Sequence, residues 1–206
     1  MKEKLKIIKD YCRFTEDTVY VLLLIPRKKD NKNKAIKNNK DRKNSIRYLI
    51  SSTEDAGMAL QDFEEYIERH SDTVYRVYLT VNPRSLLKAS RELQIRMANW
   101  QFELIEEKTE PYKKISRLSS EWKSILCSPK CRADKLFMFD IDFSNSEEED
   151  IKKVIAFREE IAELTEIKYF GETKNGFCLV CKPFNPKLVK LPELIELKKD
   201  SYIHLK

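Results

Sequence analysis

Glycine and histidine are scarce in this 206-residue chain: 3 glycines and 2 histidines. Gly57, Gly171 and Gly176 cannot form a glycine-rich phosphate loop of the Walker or dinucleotide type, because both need several glycines at fixed spacing. His70 and His204 are too few for a histidine-rich zinc centre or a conventional catalytic triad. No run approaches the roughly 18 apolar residues of a membrane span, and the charged N-terminus lacks a signal-peptide apolar region. A cytoplasmic protein without membrane contact is therefore expected. Its 5 cysteines are an odd number without a secretion signal, which argues against a disulfide framework. Cys127-x3-Cys131 with Cys178-x2-Cys181 is spaced loosely like four zinc ligands. However, Cys178 and Cys181 lie in a strand-like run, where residues i and i+3 face opposite sides. Free thiols without zinc are the expectation.

What is present is 41% hydrophobic residues, enough for a core, and 36% charged residues for a heavily solvated surface. The length suits one substantial domain or two small fused ones. Leu5, Ile8 and Cys12 make a helical stripe over residues 3–14, and Thr18-Val-Tyr-Val-Leu-Leu-Leu-Ile25 reads as a buried central strand stopped by Pro26. A strand is expected over 45–52 and a helix from Ser52 to His70, with Met58, Phe63, Tyr66 and Ile67 facing the core. Thr73–Val81 is a further strand. It runs into Asn82-Pro83-Arg84-Ser85, where Arg84 either grips an anion beside a helix start or is solvent-exposed. Residues 85–127 read as helical with a break near Pro111, and Trp100 and Trp122 as core anchors.

Between Arg27 and Arg47 stand ten Lys or Arg against two Asp. This segment alone carries more positive charge than the whole chain's +6, so the remainder is slightly acidic. Such a loop attracts phosphate backbones in a salt-sensitive way, or it is merely a solubilising segment; composition leaves both open.

The chemistry-bearing stretch is Lys135-Leu-Phe-Met-Phe-Asp-Ile-Asp-Phe-Ser144. Asp140 and Asp142 are two apart on a strand and project from one face. Two carboxylates that close repel unless a cation sits between them, and a hard divalent ion bound through oxygen answers that. Alternatively Asp142 simply ends the strand and helps cap the next helix. That helix is expected from Ser146, as its cap, to about Leu164. Ile167–Phe170, the turn Thr173–Gly176, the strand Phe177–Cys181 and Lys182-Pro-Phe-Asn-Pro186 follow. Leu194–Leu197 and Tyr202–Leu205 then read as two short strands around a turn.

This order (strand, Asp-x-Asp, helix, strand, glycine turn, strand, Lys-Pro-Phe-Asn, strand) resembles the archaeo-eukaryotic primase superfamily of small primase subunits, primase-polymerases and their viral and plasmid relatives. The resemblance covers about residues 73–206 and is best from Leu136 to Asn185. It implies an α+β primase-like fold in a single domain over 1–206. An N-terminal α/β module would span about 1–90, a helical connector about 91–130, and a catalytic half with a sheet like that of RNA-recognition motifs (RRM-like) about 131–206, with helices packed on the sheets. It implies catalytic, metal-binding carboxylates at Asp140, Asp142 and Asp200, holding Mg2+ or Mn2+ ions that activate a 3′-hydroxyl and stabilise leaving pyrophosphate. The family's phosphate-contacting histidine falls at Cys178, where this chain departs from the pattern. A neutral thiol is a poor phosphate ligand and carries no positive charge. Lys174, Arg84 and Arg27 would neutralise the triphosphate. Asp200, in Lys198-Lys-Asp200-Ser, equally suits a turn with no chemical role.

Three functions are consistent with these residues. The first is a metal-dependent nucleotidyltransferase using nucleoside triphosphates on DNA or RNA. The second is a degenerate relative that binds nucleic acid or a protein partner, favoured by Cys178. The third is a haloacid-dehalogenase-type phosphatase, which Phe139-Asp-Ile-Asp-Phe-Ser144 resembles loosely. It lacks that motif's Gly-Thr, a long following chain and an adjacent acidic pair.

Overall fold

Seven consecutive buried residues, Thr18 to Leu24, mark the strand on which the N-terminal half is built. The computed structural model describes residues 1–26, 45–106, 108–174 and 176–205, and Arg27 with most of the basic segment lies outside them. Within these residues the chain is α+β, with six helices and two antiparallel sheets. No helix among the described residues is long and apolar enough to cross a membrane.

In chain order, α1 (Lys2–Tyr11) precedes β1 (Thr18–Pro26) and β2 (Ile46–Ile50), and α2 (Thr53–Arg69) leads into β3 (Tyr75–Thr80). The two-residue β4 (Arg84–Ser85) opens a helical stretch of α3 (Leu86–Ile105), α4 (Glu110–Ile115) and α5 (Leu118–Leu126). Then come β5 (Phe137–Ile141), α6 (Glu148–Leu164), β6 (Ile167–Glu172), β7 (Phe177–Cys181), β8 (Ile195–Lys198) and β9 (Tyr202–Leu205). The first sheet has the order β2-β1-β3-β9, with β4 beside β1; the second has the order β6-β7-β5-β8.

β1 reads as unbroken apolar sequence because both of its faces are covered. Tyr20, Leu22 and Leu24 pack with Ile8 of α1 and Ala56, Leu60 and Phe63 of α2, while Val19 packs with Ala89, Ile125 and Leu126 from the opposite side. The second sheet is covered by α6, through Val154, Phe157 and Ile161 against Phe139 and Ile141. Its other face, with Met138, Cys178 and Val180, joins the core of the first sheet. Tyr11 sits at that seam: its hydroxyl donates to the Val81 carbonyl at 2.6 Å, and its ring meets Tyr20 and Tyr169 edge-on.

Several local expectations change. Met58 is exposed, because the buried stripe of α2 runs through Ala56, Ala59, Leu60 and Phe63. Ser146 does not cap α6; the N-cap is Glu147, without a side-chain cap bond, and Asp150 instead accepts from the Ser144 amide at 3.1 Å. Pro111 opens α4 in its first turn, where a missing N–H costs nothing. The last two strands do not pair with each other. β8 completes the second sheet beside β5, while β9 crosses to the first sheet beside β3, so the connection between them ties the sheets together.

Gly176 is required by close approach. Its amide neighbourhood is closed by the Thr173 N–H donating to the Gly176 carbonyl at 2.8 Å, and any β-carbon there would run into the Ile141 carbonyl oxygen. Gly176→Ala must therefore push β7 away from the end of β5. We expect a loss of about 2 kcal/mol or more in urea unfolding; a change within about 0.5 kcal/mol would show that the turn is not pressed against β5.

Candidate functional site

Antiparallel register sets three polar residues side by side on the inner face of the second sheet. Asp140 on β5 lies opposite Cys178 on β7 and opposite Glu196 on β8, and Gly171 on β6 follows beyond Cys178. Directly opposed residues share a face, so Asp140, Glu196 and Cys178 form one row. Lys198, opposite Met138, is two residues further along β8 and so on the same face. Its ammonium donates to Asp140 Oδ2 at 2.5 Å and lies 3.2 Å from Glu196 Oε2. Partial burial pulls the Lys198 pKa down, but the hydrogen bond and charge of Asp140, with help from Glu196, outweigh it and hold the group above the usual lysine value. Lys198 is thus a cation at neutral pH, lying between two carboxylates.

Cys178 is 2% exposed and packs in the core shared by the two sheets. Burial, reinforced by the negative charge of Asp140, pushes its thiol up to about 12. It is a neutral thiol at neutral pH and therefore a weak nucleophile. The ring of Tyr169 lies across Gly171, where an added methyl group would strike it. Cys181, three residues on, faces the α6 core, so the two cysteines of the x2 pair lie on opposite sides of the sheet.

Asp142 lies just past the end of β5, where its amide continues the ladder by donating to the Leu194 carbonyl at 2.9 Å. Alternation carries it to the Asp140 side, and it is exposed. Lys174 is exposed in the β6–β7 turn; this turn presses on the end of β5 through Gly176 and accepts a 3.5 Å bond from the Asn145 amide at the Thr173 carbonyl. Asp140, Asp142 and Cys178 thus lie on one sheet face, and Lys174 stands in the turn at the same end of the sheet.

Asp200 and Arg84 belong elsewhere. Arg84 is 1% exposed, so it neither faces solvent nor is open to an anion. Its guanidinium grips Asp200 bidentately, Nη1 to Oδ2 at 3.0 Å and Nη2 to Oδ1 at 3.1 Å, and Nη1 also donates to the Ser128 carbonyl at 3.3 Å. Asn82 donates to Asp200 Oδ1 at 3.4 Å, and its carbonyl oxygen accepts the Leu136 amide at 2.8 Å. Asp200 lies between β8 and β9, off any strand and four residues along the chain from Glu196. Arg27 lies outside the described residues.

Asn82, Glu196 and Lys198 are not singled out by sequence alone. The alternation in Leu194-Ile-Glu-Leu-Lys198 put Glu196 and Lys198 on one face, but only the β5–β8 register identifies that face as the one carrying Asp140.

The hard oxygen donors Asp140 and Asp142 suit one Mg2+ or Mn2+ ion in chemistry. The three-carboxylate, two-ion arrangement does not fit, because Asp200 is committed to Arg84. Among the described residues no three His, Cys, Asp or Glu side chains cluster closely enough to share an ion. The two acids should therefore separate in stability. Asp200→Ala leaves the buried Arg84 unpaired and should cost about 3–5 kcal/mol, whereas Asp140→Ala breaks a partly exposed pair and should cost under about 1 kcal/mol. Equal losses in denaturant titrations would remove the distinction. No protein-family model, curated protein or solved structure matches the chain.

Proposed function

We propose that the chain is a primase-polymerase-like nucleotidyltransferase that acts on nucleic acid at the Asp140 face of the second sheet. The observation that carries this reading is the β5–β7 register. It sets Cys178, at the position of the superfamily's phosphate-contacting histidine, directly opposite Asp140 of the Asp-x-Asp motif. Two segments 38 residues apart in sequence, which the resemblance assigns to one site, are neighbours on one face. The strand order β6-β7-β5-β8, with one helix between the first two strands of the set, supports the RRM-like half that the same resemblance implies.

Asp140 and Asp142 would hold the divalent ion, and Glu196, opposite Asp140 on β8, stays with Lys198. When bound, such an ion polarises phosphoryl oxygen and favours deprotonation of an attacking hydroxyl. With an ion held there, Lys198 would be repelled from Asp140, and its ammonium would be free to donate to phosphate on a face where Cys178 supplies no charge. The exposed Lys174 adds positive charge from the adjoining turn. The segment 27–44, nine Lys or Arg against two Asp, suits a template backbone.

A second reading is kept because of a specific pair. The Lys198–Asp140 contact already neutralises the first carboxylate, as a fold retained for binding alone would allow. The phosphatase reading gains no such support, since its nucleophile would be this same ion-paired Asp140. The test is incorporation of labelled nucleotides on primed and unprimed single strands with Mg2+ or Mn2+. The nucleotidyltransferase reading expects incorporation that falls at least about 100-fold in Asp140→Ala. Absent incorporation, with salt-sensitive nucleic-acid binding that survives Asp140→Ala, would overturn it in favour of binding alone.

A further inference from the structure

Helix α3 carries two apolar faces, and the fold uses only one of them. Ala89 and Trp100 are buried, and Leu93 packs with Ala89 on the side that meets α5 and β1. At about 100° per residue, Leu87, Arg91, Ile95, Ala98, Phe102 and Ile105 fall in a stripe about 80° wide on the opposite side. Arg91 is the one non-apolar residue in it. The stripe is open: Leu87 is 75% exposed, Ile95 50%, Phe102 67% and Ile105 78%. Its spacings of three and four alternate from Arg91 to Ile105, which is the seam of an antiparallel helix pair rather than a scatter of surface residues. Three turns of aligned, exposed apolar side chains mark an interaction surface.

We infer that this face of α3 is where a second copy of the same chain docks, with the two helices antiparallel. The occupant follows from the stripe's own symmetry and charge. An axis level with Arg96 and Met97 sets Ile95 against the partner's Ala98, Leu87 against the partner's Ile105, and Arg91 over the aromatic face of the partner's Phe102. Each contact occurs twice, as a two-fold interface requires. Lys88 and Glu106 lie on the same edge of the stripe at opposite ends of the helix. Antiparallel pairing brings Lys88 beside the partner's Glu106, whereas two parallel copies would set like charges level with one another. Lys88 also donates to the Arg132 carbonyl at 2.7 Å, and Glu106 holds Lys108 at 2.6 Å, so both ends of the edge are anchored before a partner arrives. A single helix pair of this length lies at the small end of specific interfaces, so the dimer should be weak and concentration-dependent.

Sedimentation velocity of the full chain, from about 1 to about 200 µM, tests this. The weight-average mass should rise from 24.5 kDa toward twice that value as concentration increases. Phe102→Glu, at an exposed helical position that leaves the fold intact by circular dichroism, should weaken association at least about tenfold. Lys88→Glu should weaken it, and Lys88→Glu with Glu106→Lys should restore it to within about threefold of the parent chain. A wild-type chain that stays monomeric throughout, or a dimer indifferent to Phe102→Glu, would overturn the inference. So would a double charge swap no better than the single one, since that excludes the antiparallel arrangement.

Discussion

The buried Arg84–Asp200 pair holds the two sheets in their relative places. Arg84 enters from β4, paired with β1 in the first sheet, Asp200 from the crossover between β8 and β9, and the Ser128 carbonyl from the end of the helical stretch. Asn82 extends the clasp to the start of β5 by receiving the Leu136 amide. A guanidinium that is 1% exposed is tolerated only because the Asp200 carboxylate and the Ser128 carbonyl meet both of its terminal nitrogens. Breaking the pair would leave a buried charge beside the segment that enters β5 and the segment that leaves β8. Those are the two strands that carry Asp140, Glu196 and Lys198. The candidate site is thus positioned by an ion pair that takes no part in it.

Asp200 and Asp140 show how one carboxylate can be structural and another available. Asp200 meets a rigid two-pronged donor away from water, and that geometry is costly to exchange for anything else. Asp140 meets a flexible ammonium at a partly exposed position, and an ammonium on a four-carbon stem gives way to a stronger cation at small cost. Cys178, opposite Asp140, is silenced by burial, so it adds no charge to the row that Asp140, Glu196 and Lys198 form. This division of labour is why the inner face of the second sheet, rather than the Arg84 clasp, is the place to look for chemistry.

Much of the fold was legible in residues whose local pattern has one physical solution. The apolar run Thr18–Ile25 is a doubly covered strand, and Phe137–Ile141 is a strand whose alternation separates Phe139 and Ile141 from Met138 and Asp140. Ser52 caps α2 through the Asp55 amide. What failed to read out depends on pairing across the chain. Leu194–Leu197 and Tyr202–Leu205 look like a hairpin because they are close in sequence, yet each finds an older strand elsewhere, β5 and β3. Once they part, Asp200 leaves the sheet face and Glu196 takes the position beside Asp140. Arg84 misled for a similar reason: beside a helix start it reads as open to an external anion, or to solvent, until a carboxylate 116 residues later is brought to it. Local periodicity carries faces; it does not carry registers.

The most direct measurement is a crystal structure of the chain grown with Mn2+, using anomalous scattering to locate the ion. Manganese is expected on the Asp140 carboxylate, with the Lys198 ammonium moved off it and the Arg84–Asp200 pair unchanged. Manganese bound to Asp200 with Arg84 displaced, or no ion on this face while Lys198 stays on Asp140 at saturating Mn2+, would contradict it.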